Sequence, residues 1–179
     1  MESIFLDRKK AYDKLHEHPP THIAVAYVGR DWNKLIDCSQ LKEIIVSPTL
    51  GTNPRAVAEI AEQIGWDHVH FLDELHAKIY LSAHSVILGS FNLSNNALDC
   101  SRNNGLLEAG ILSSDPSMIK DTKELYKVCK EEALRQYTSV NAKKTRLGQL
   151  ELMRNQAIEK NIIVKPKPKS VVKNIIPPY

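Results

Sequence analysis

The sequence predicts an α/β fold: a mixed, largely parallel sheet flanked by helices, followed by a helical, basic C-terminal extension. Three observations carry that expectation. Short apolar runs rich in β-branched residues alternate with helical stretches as far as Leu72, the pattern of strand–helix–strand units with parallel pairing. Two helices carry the same start signal, a capping residue followed by proline, at Asn53-Pro54 and Asp115-Pro116. Two further apolar runs, His76–Leu81 and Val86–Leu88, lie too close together for a crossover helix and therefore form an antiparallel hairpin around Ser82–Ser85.

In chain order, Ser3–Glu17 reads as a first helix, closed by Pro19-Pro20. His22–Val28 (HIAVAYV) reads as a buried strand, Asp31–Ile36 as a short helix and Glu43–Ser47 (EIIVS) as a second strand. The helix opened by Asn53-Pro54 runs to Ile64 and stops at Gly65, and Val69–Leu72 is a third strand. After the hairpin, Leu106–Leu112 (LLEAGIL) is a further strand, and the helix begun at Asp115-Pro116 reaches Tyr137. Asn141–Lys160 reads as helical, and Pro166, Pro168, Pro177 and Pro178 forbid regular structure beyond it. No internal repeat is present. The chain thus divides into a domain over 1–138 and a Lys/Pro-rich extension over 139–179.

The chain has 179 residues, 42% of them hydrophobic, which suits one domain of ordinary size with an appendage. No apolar run approaches the roughly eighteen residues of a membrane span. Met1–Lys10 has no apolar core, so no secretory signal is expected there. Cys38, Cys100 and Cys129 are odd in number and widely spaced, forming neither a disulfide framework nor a zinc pattern. A cytoplasmic location follows as an expectation. The net charge of +3 is unevenly spread: residues 1–130 hold 14 basic and 17 acidic side chains, residues 131–179 hold 10 and 4. From Lys160 to Lys173 there are five lysines and no acid, so Lys165, Lys167, Lys169 and Lys173 are candidate contacts to a polyanion. The alternative is a solvated end.

The chemistry concentrates in the hairpin. His76-Ala77-Lys78 is followed, thirteen residues after the histidine, by Gly89-Ser90-Phe91-Asn92. Residues two apart on a strand share a face, so His76 and Lys78 point together while Ala77, Ile79 and Leu81 face the core. The hairpin returns Ser90 and Asn92 beside them, where Gly89 lets the backbone bend and approach a ligand. A hydroxyl, a carboxamide and an ammonium make a cradle for a non-bridging phosphate oxygen. His76 can attack phosphorus through one ring nitrogen if the other donates to a carboxylate. Glu108 is the candidate orienter; in an apolar strand it must find a cationic or hydrogen-bonding partner.

These residues, HAKIYL, then VILGSFNLSNNAL, then NNGLLEAGIL, resemble the phospholipase D superfamily, particularly its nuclease-like branch with one His-x-Lys and Gly-Ser-x-Asn motif. The motif resemblance spans residues 70–112, and the order of elements extends it over 1–138. It implies a phospholipase D-like fold and a phosphodiesterase, with His76 as nucleophile or general acid, Lys78 and Asn92 binding phosphate, Ser90 assisting them and Glu108 supporting the histidine. It also implies that no cofactor and no metal take part. Many lipases of the superfamily carry an aspartate five residues after the motif lysine; here that position is Ala83, which fits the nuclease-like branch better. The superfamily's mechanism uses two histidines, and this chain has one motif, so a two-fold homodimer with both His76 residues at the axis is expected. The expected activity is metal-independent endonucleolytic cleavage of DNA, or RNA, with recognition supplied, if at all, by a separate subunit or domain.

Three other readings compete. His68, His70, Asp73 and His76 cluster within nine residues, but their spacing does not match a metallohydrolase pattern. A non-catalytic nucleic-acid-binding module of the same fold needs neither His76 nor Glu108. A phospholipid-cleaving enzyme calls for an amphipathic stretch with aromatic anchors, and only 6% of residues are aromatic.

Overall fold

The strands are β1 (Ser3–Asp7), β2 (His22–Val25), β3 (Glu43–Val46), β4 (Val69–Phe71), β5 (Lys78–Leu81), β6 (Val86–Gly89) and β7 (Ala109–Ser113). The helices are α1 (Arg8–Glu17), α2 (Pro54–Ile64), α3 (Asn95–Leu98), α4 (Pro116–Gln136) and α5 (Val140–Glu159). This is a computed structural model, and it describes residues 3–98 and 106–160. The seven strands form one sheet in the order β1-β7-β6-β5-β2-β3-β4.

Alternate residues of the strands feed two cores. Ile23, Val25, Ile44, Val46, Tyr80, Ile87 and Leu112 face α1 and α2, whose Ala11, Leu15, Val57 and Ile60 are buried against them. Ala24, Ile45, Ile79, Leu81 and Val86 face α4 through Tyr126 and Ala133. Burial on both faces explains why the central strands read as unbroken apolar runs. Helix α2 begins as predicted, with the Asn53 side chain accepting from Arg55 N–H and Ala56 N–H, and ends at Gly65, whose φ of 93° suits glycine. Leu147 and Leu150 of α5, placed by the sequence reading in the C-terminal extension, belong to the same core as α1 and α2. Each such burial contributes about 1.5–3 kcal/mol.

The structure corrects several expectations. Residues 3–7 form an edge strand antiparallel to β7, not a helix turn; Asp7 ends it and caps α1, accepting from Lys10 N–H at 2.9 Å. The sheet is mixed, but parallel pairing is confined to β2–β3 and β3–β4, while the other four pairs are antiparallel. The strand expected from Leu106 begins only at Ala109; Leu106 and Leu107 point outward, Leu107 fully exposed. The strand expected from His76 begins at Lys78. Lys165, Lys167, Lys169 and Lys173 lie outside the described residues, as does Cys100.

Candidate active site

The topology gathers the predicted residues at one edge of the sheet. Because β5 and β7 run antiparallel to their neighbours β2 and β6, the starts of β5 and β7 and the ends of β2 and β6 share that edge. His76 lies two residues before β5, Lys78 opens it opposite Val25, Ser90 and Asn92 follow β6, and Glu108 precedes β7.

Lys78 is nearly buried, only 8% exposed, and its ammonium reaches back to His76: Nζ donates to the His76 carbonyl at 2.6 Å and lies 3.2 and 3.3 Å from the two ring nitrogens. Burial lowers the Lys78 pKa, and the negative charge of Glu108 opposes that drop. His76 itself is exposed.

Asn92 is fixed by a contact the sequence does not announce. Its Oδ1 accepts from the backbone N–H of Tyr27 at 3.1 Å. With the carbonyl oxygen occupied, the Nδ2 donor is left without a protein acceptor among the described residues. The loop that carries Asn92 is held by Tyr80, whose buried hydroxyl donates to the Phe91 carbonyl at 2.9 Å. Burial, reinforced by the Glu108 charge, pushes the Tyr80 phenol far up, so it stays a donor at any working pH. Tyr80 shares a strand face with Lys78, and that spacing is the one sequence signal that points to it. Nothing in the sequence points to Tyr27.

Ser90 and Glu108 form a bonded pair: the Ser90 hydroxyl donates to Glu108 Oε2. Ser90 is also tied to Ala109 through its own N–H, which donates to the Ala109 carbonyl at 3.0 Å, and its Oγ accepts from Ala109 N–H at 3.1 Å. Glu108 has the hydrogen-bonding partner its position required, but that partner is Ser90; no bond joins it to His76 within the chain. Nor is it mid-strand: it sits half-buried at the mouth of β7, where a carboxylate stays partly hydrated.

Gly89 is also required by the packing of the sheet. A Cβ there would lie 2.5 Å from the Ala109 carbonyl oxygen, 2.7 Å from Gly110 Cα and 2.9 Å from Phe91 Cε2. This lets β6 and β7 approach closely beneath the Phe91 ring. His68, His70, Asp73 and His76 do not converge; among the described residues no three histidine, cysteine or acidic side chains gather into a metal site. No helix among those residues is long and apolar enough to cross a membrane.

Two solved structures share this architecture. NucT from Helicobacter pylori superposes with a TM-score of 0.55 at 18% identity, covering 73% of this chain and 96% of that one. The phospholipase D family member Nuc from Salmonella typhimurium superposes with a TM-score of 0.53 at 14% identity, covering 73% and 96%. The fold is the phospholipase D fold. No family model matches the sequence, and no curated protein matches it either. Within the phospholipase D fold, the sheet edge shared by the starts of β5 and β7 and the end of β6 holds all five catalytic candidates of the sequence.

Proposed function

We propose that the protein is a metal-independent phosphodiesterase that cleaves DNA endonucleolytically through a phosphohistidine, with an active site shared across a homodimer. The observation that carries this reading is the convergence on one strand edge of an exposed imidazole backed by a nearly buried lysine and a carboxamide with a free N–H donor. Those groups hold and attack a phosphodiester without a Lewis acid, since Lys78 and Asn92 supply the donors that meet charge developing on the non-bridging oxygens.

In the first step a ring nitrogen of one His76 attacks phosphorus. The P–N bond forms as the P–O bond to the leaving nucleoside breaks, and the other copy's His76 gives its proton to the departing oxygen. In the second step that now neutral imidazole takes a proton from water, whose oxygen attacks phosphorus and releases the first His76. Ser90 and Glu108 buttress the cradle within one subunit. Whether Glu108 meets a histidine is then a matter for the dimer, because within the subunit its carboxylate is held by Ser90.

Two features support a dimer: the single motif, and the apolar residues Leu106 and Leu107 exposed immediately before Glu108. The test is one gel. Wild type nicks plasmid and cuts single-stranded DNA with or without EDTA; His76→Ala loses at least roughly 10³-fold in rate and still binds DNA. Loss of cleavage on chelation, or full activity of His76→Ala, rejects the reading.

A further inference from the structure

The phosphate cradle continues along the sheet edge into groups that its chemistry does not use. Tyr27 is the first. Its N–H fixes Asn92, so the residue adjoins the cradle, and its carbonyl accepts from Leu93 N–H at 3.2 Å. Its half-buried ring lies against Gly51, where a Cβ would fall within 2.6 Å of Cε1 and 2.7 Å of Cγ. The bare glycine backbone therefore seats the ring. Its hydroxyl has no partner among the described residues, so nothing polar explains the position.

The second group supports the same loop. Arg154, on α5, donates through Nη1 to the carbonyls of Leu50 and Thr52, the two residues flanking Gly51. Its Nε and Nη2 donate to nothing among the described residues. Arg154 is partly buried without a carboxylate, and a second guanidinium, Arg30, stands close enough for their charges to interact; burial first, then Arg30, lowers the Arg154 pKa. Arg30 is exposed and makes no hydrogen bond or ion pair among the described residues. Arg30 lines a cleft with Asn53, the residue after the Thr52 whose carbonyl Arg154 holds, so both guanidiniums flank the same loop and together suit an anion. Beyond Arg30 the charge is mixed: the cleft it lines with Asn33 and Asn53 carries Arg55, itself paired with Glu151, and then Glu59 and Glu62, where the cationic path ends.

We propose that Tyr27 and the Arg30–Arg154 pair form a track for a single-stranded polynucleotide, one base stacked on the Tyr27 ring and a neighbouring phosphate held by the two guanidiniums. A base in a duplex has both faces covered by its neighbours, so a platform beside the scissile phosphate selects an unpaired strand. This rests on the nuclease reading above and names its substrate.

The test measures binding separately from cleavage. Fluorescence anisotropy on His76→Ala protein compares a single-stranded oligonucleotide, the same strand with abasic sugars, and its duplex. The single strand is expected to bind about tenfold tighter than the duplex. Adding Tyr27→Ala brings the base-bearing strand down about tenfold, to the level of the abasic one, and Tyr27→Phe restores the difference. Arg30→Gln weakens base-bearing and abasic strands by the same factor and flattens the salt slope by roughly 0.7. Equal binding of duplex and single strand, or a base-to-abasic ratio that Tyr27→Ala leaves unchanged, overturns the track. If the binding pattern holds but wild type cuts no strand, the nuclease reading fails and the track stands; cleavage without the pattern has the opposite meaning.

Discussion

Asn92 shows how much rests on one hydrogen bond. Tyr27 N–H occupies its Oδ1, so the amide presents Nδ2 to the ligand in one orientation. Asn92→Leu removes that donor, and kcat on DNA is expected to fall by about 10²–10³ with far less change in Kd, as for the loss of one preorganised donor at a developing anion. A comparable loss in Kd alone points to ground-state binding instead. Tyr80→Phe acts at one remove: it strands the buried Phe91 carbonyl, at about 1–3 kcal/mol, and a lowered Tm in a thermal melt checks it. The residues that carry reactive groups are legible from the sequence because their types and spacing are informative. Tyr27 acts through a contact to a loop 65 residues away, which no local pattern records, and Tyr80 through the hairpin loop 11 residues on, signalled only by the strand face it shares with Lys78.

At the scale of elements, the β6–β7 contact and the β3–β4–α4 junction each make a prediction. Gly89→Ala drives a methyl into the Ala109 carbonyl and the Phe91 ring. It is expected to cost about 1–3 kcal/mol in urea unfolding and to lower kcat by displacing Ser90 from Glu108. At the other junction, Glu43 accepts from Lys130 at 2.5 Å and lies 3.1 Å from His70 Nε2. Burial pushes its carboxyl up, but the bonds and charges of His70 and Lys130 outweigh that and hold it at about 2. A depressed carboxyl stabilises the fold fully above its ordinary pKa of 4.5, and the stabilisation drains away as pH falls from there through 2. Stability should drop by on the order of 2 kcal/mol across that window, and Glu43→Gln should flatten the drop in urea titrations at each pH. Helices α2 and α4 are legible because Asn53-Pro54 and Asp115-Pro116 are local signals. Strand β1 is not, because what makes Ser3–Asp7 extended is its pairing with β7, a partner more than a hundred residues away.

For the whole molecule, the expected shared site gives the sharpest test. Leu107 stands fully exposed next to Glu108. Leu107→Asp should yield a folded monomer by sedimentation, with cleavage down at least roughly tenfold, because burying an unpaired carboxylate at an interface is costly. An active Leu107→Asp monomer rejects the dimer. Deleting residues 161–179, which removes four lysines, should weaken DNA binding and flatten its salt slope. The mixed sheet is legible from strand–helix alternation and the tight hairpin, but the balance of directions is not. The alternation ends at β4, and the antiparallel half depends on how β5, β6, β7 and β1 return beside β2.

The Phe91 ring over the facing glycines has an evolutionary consequence. Positions 89, 91 and 110 share one small volume, but backbone closes it too, the Leu88 carbonyl over 110 and the Ala109 carbonyl over 89, so a descendant with a smaller residue at 91 still has no room for a side chain at either glycine. Relatives of this chain should therefore keep glycine at both places however the residue between the serine and the asparagine varies.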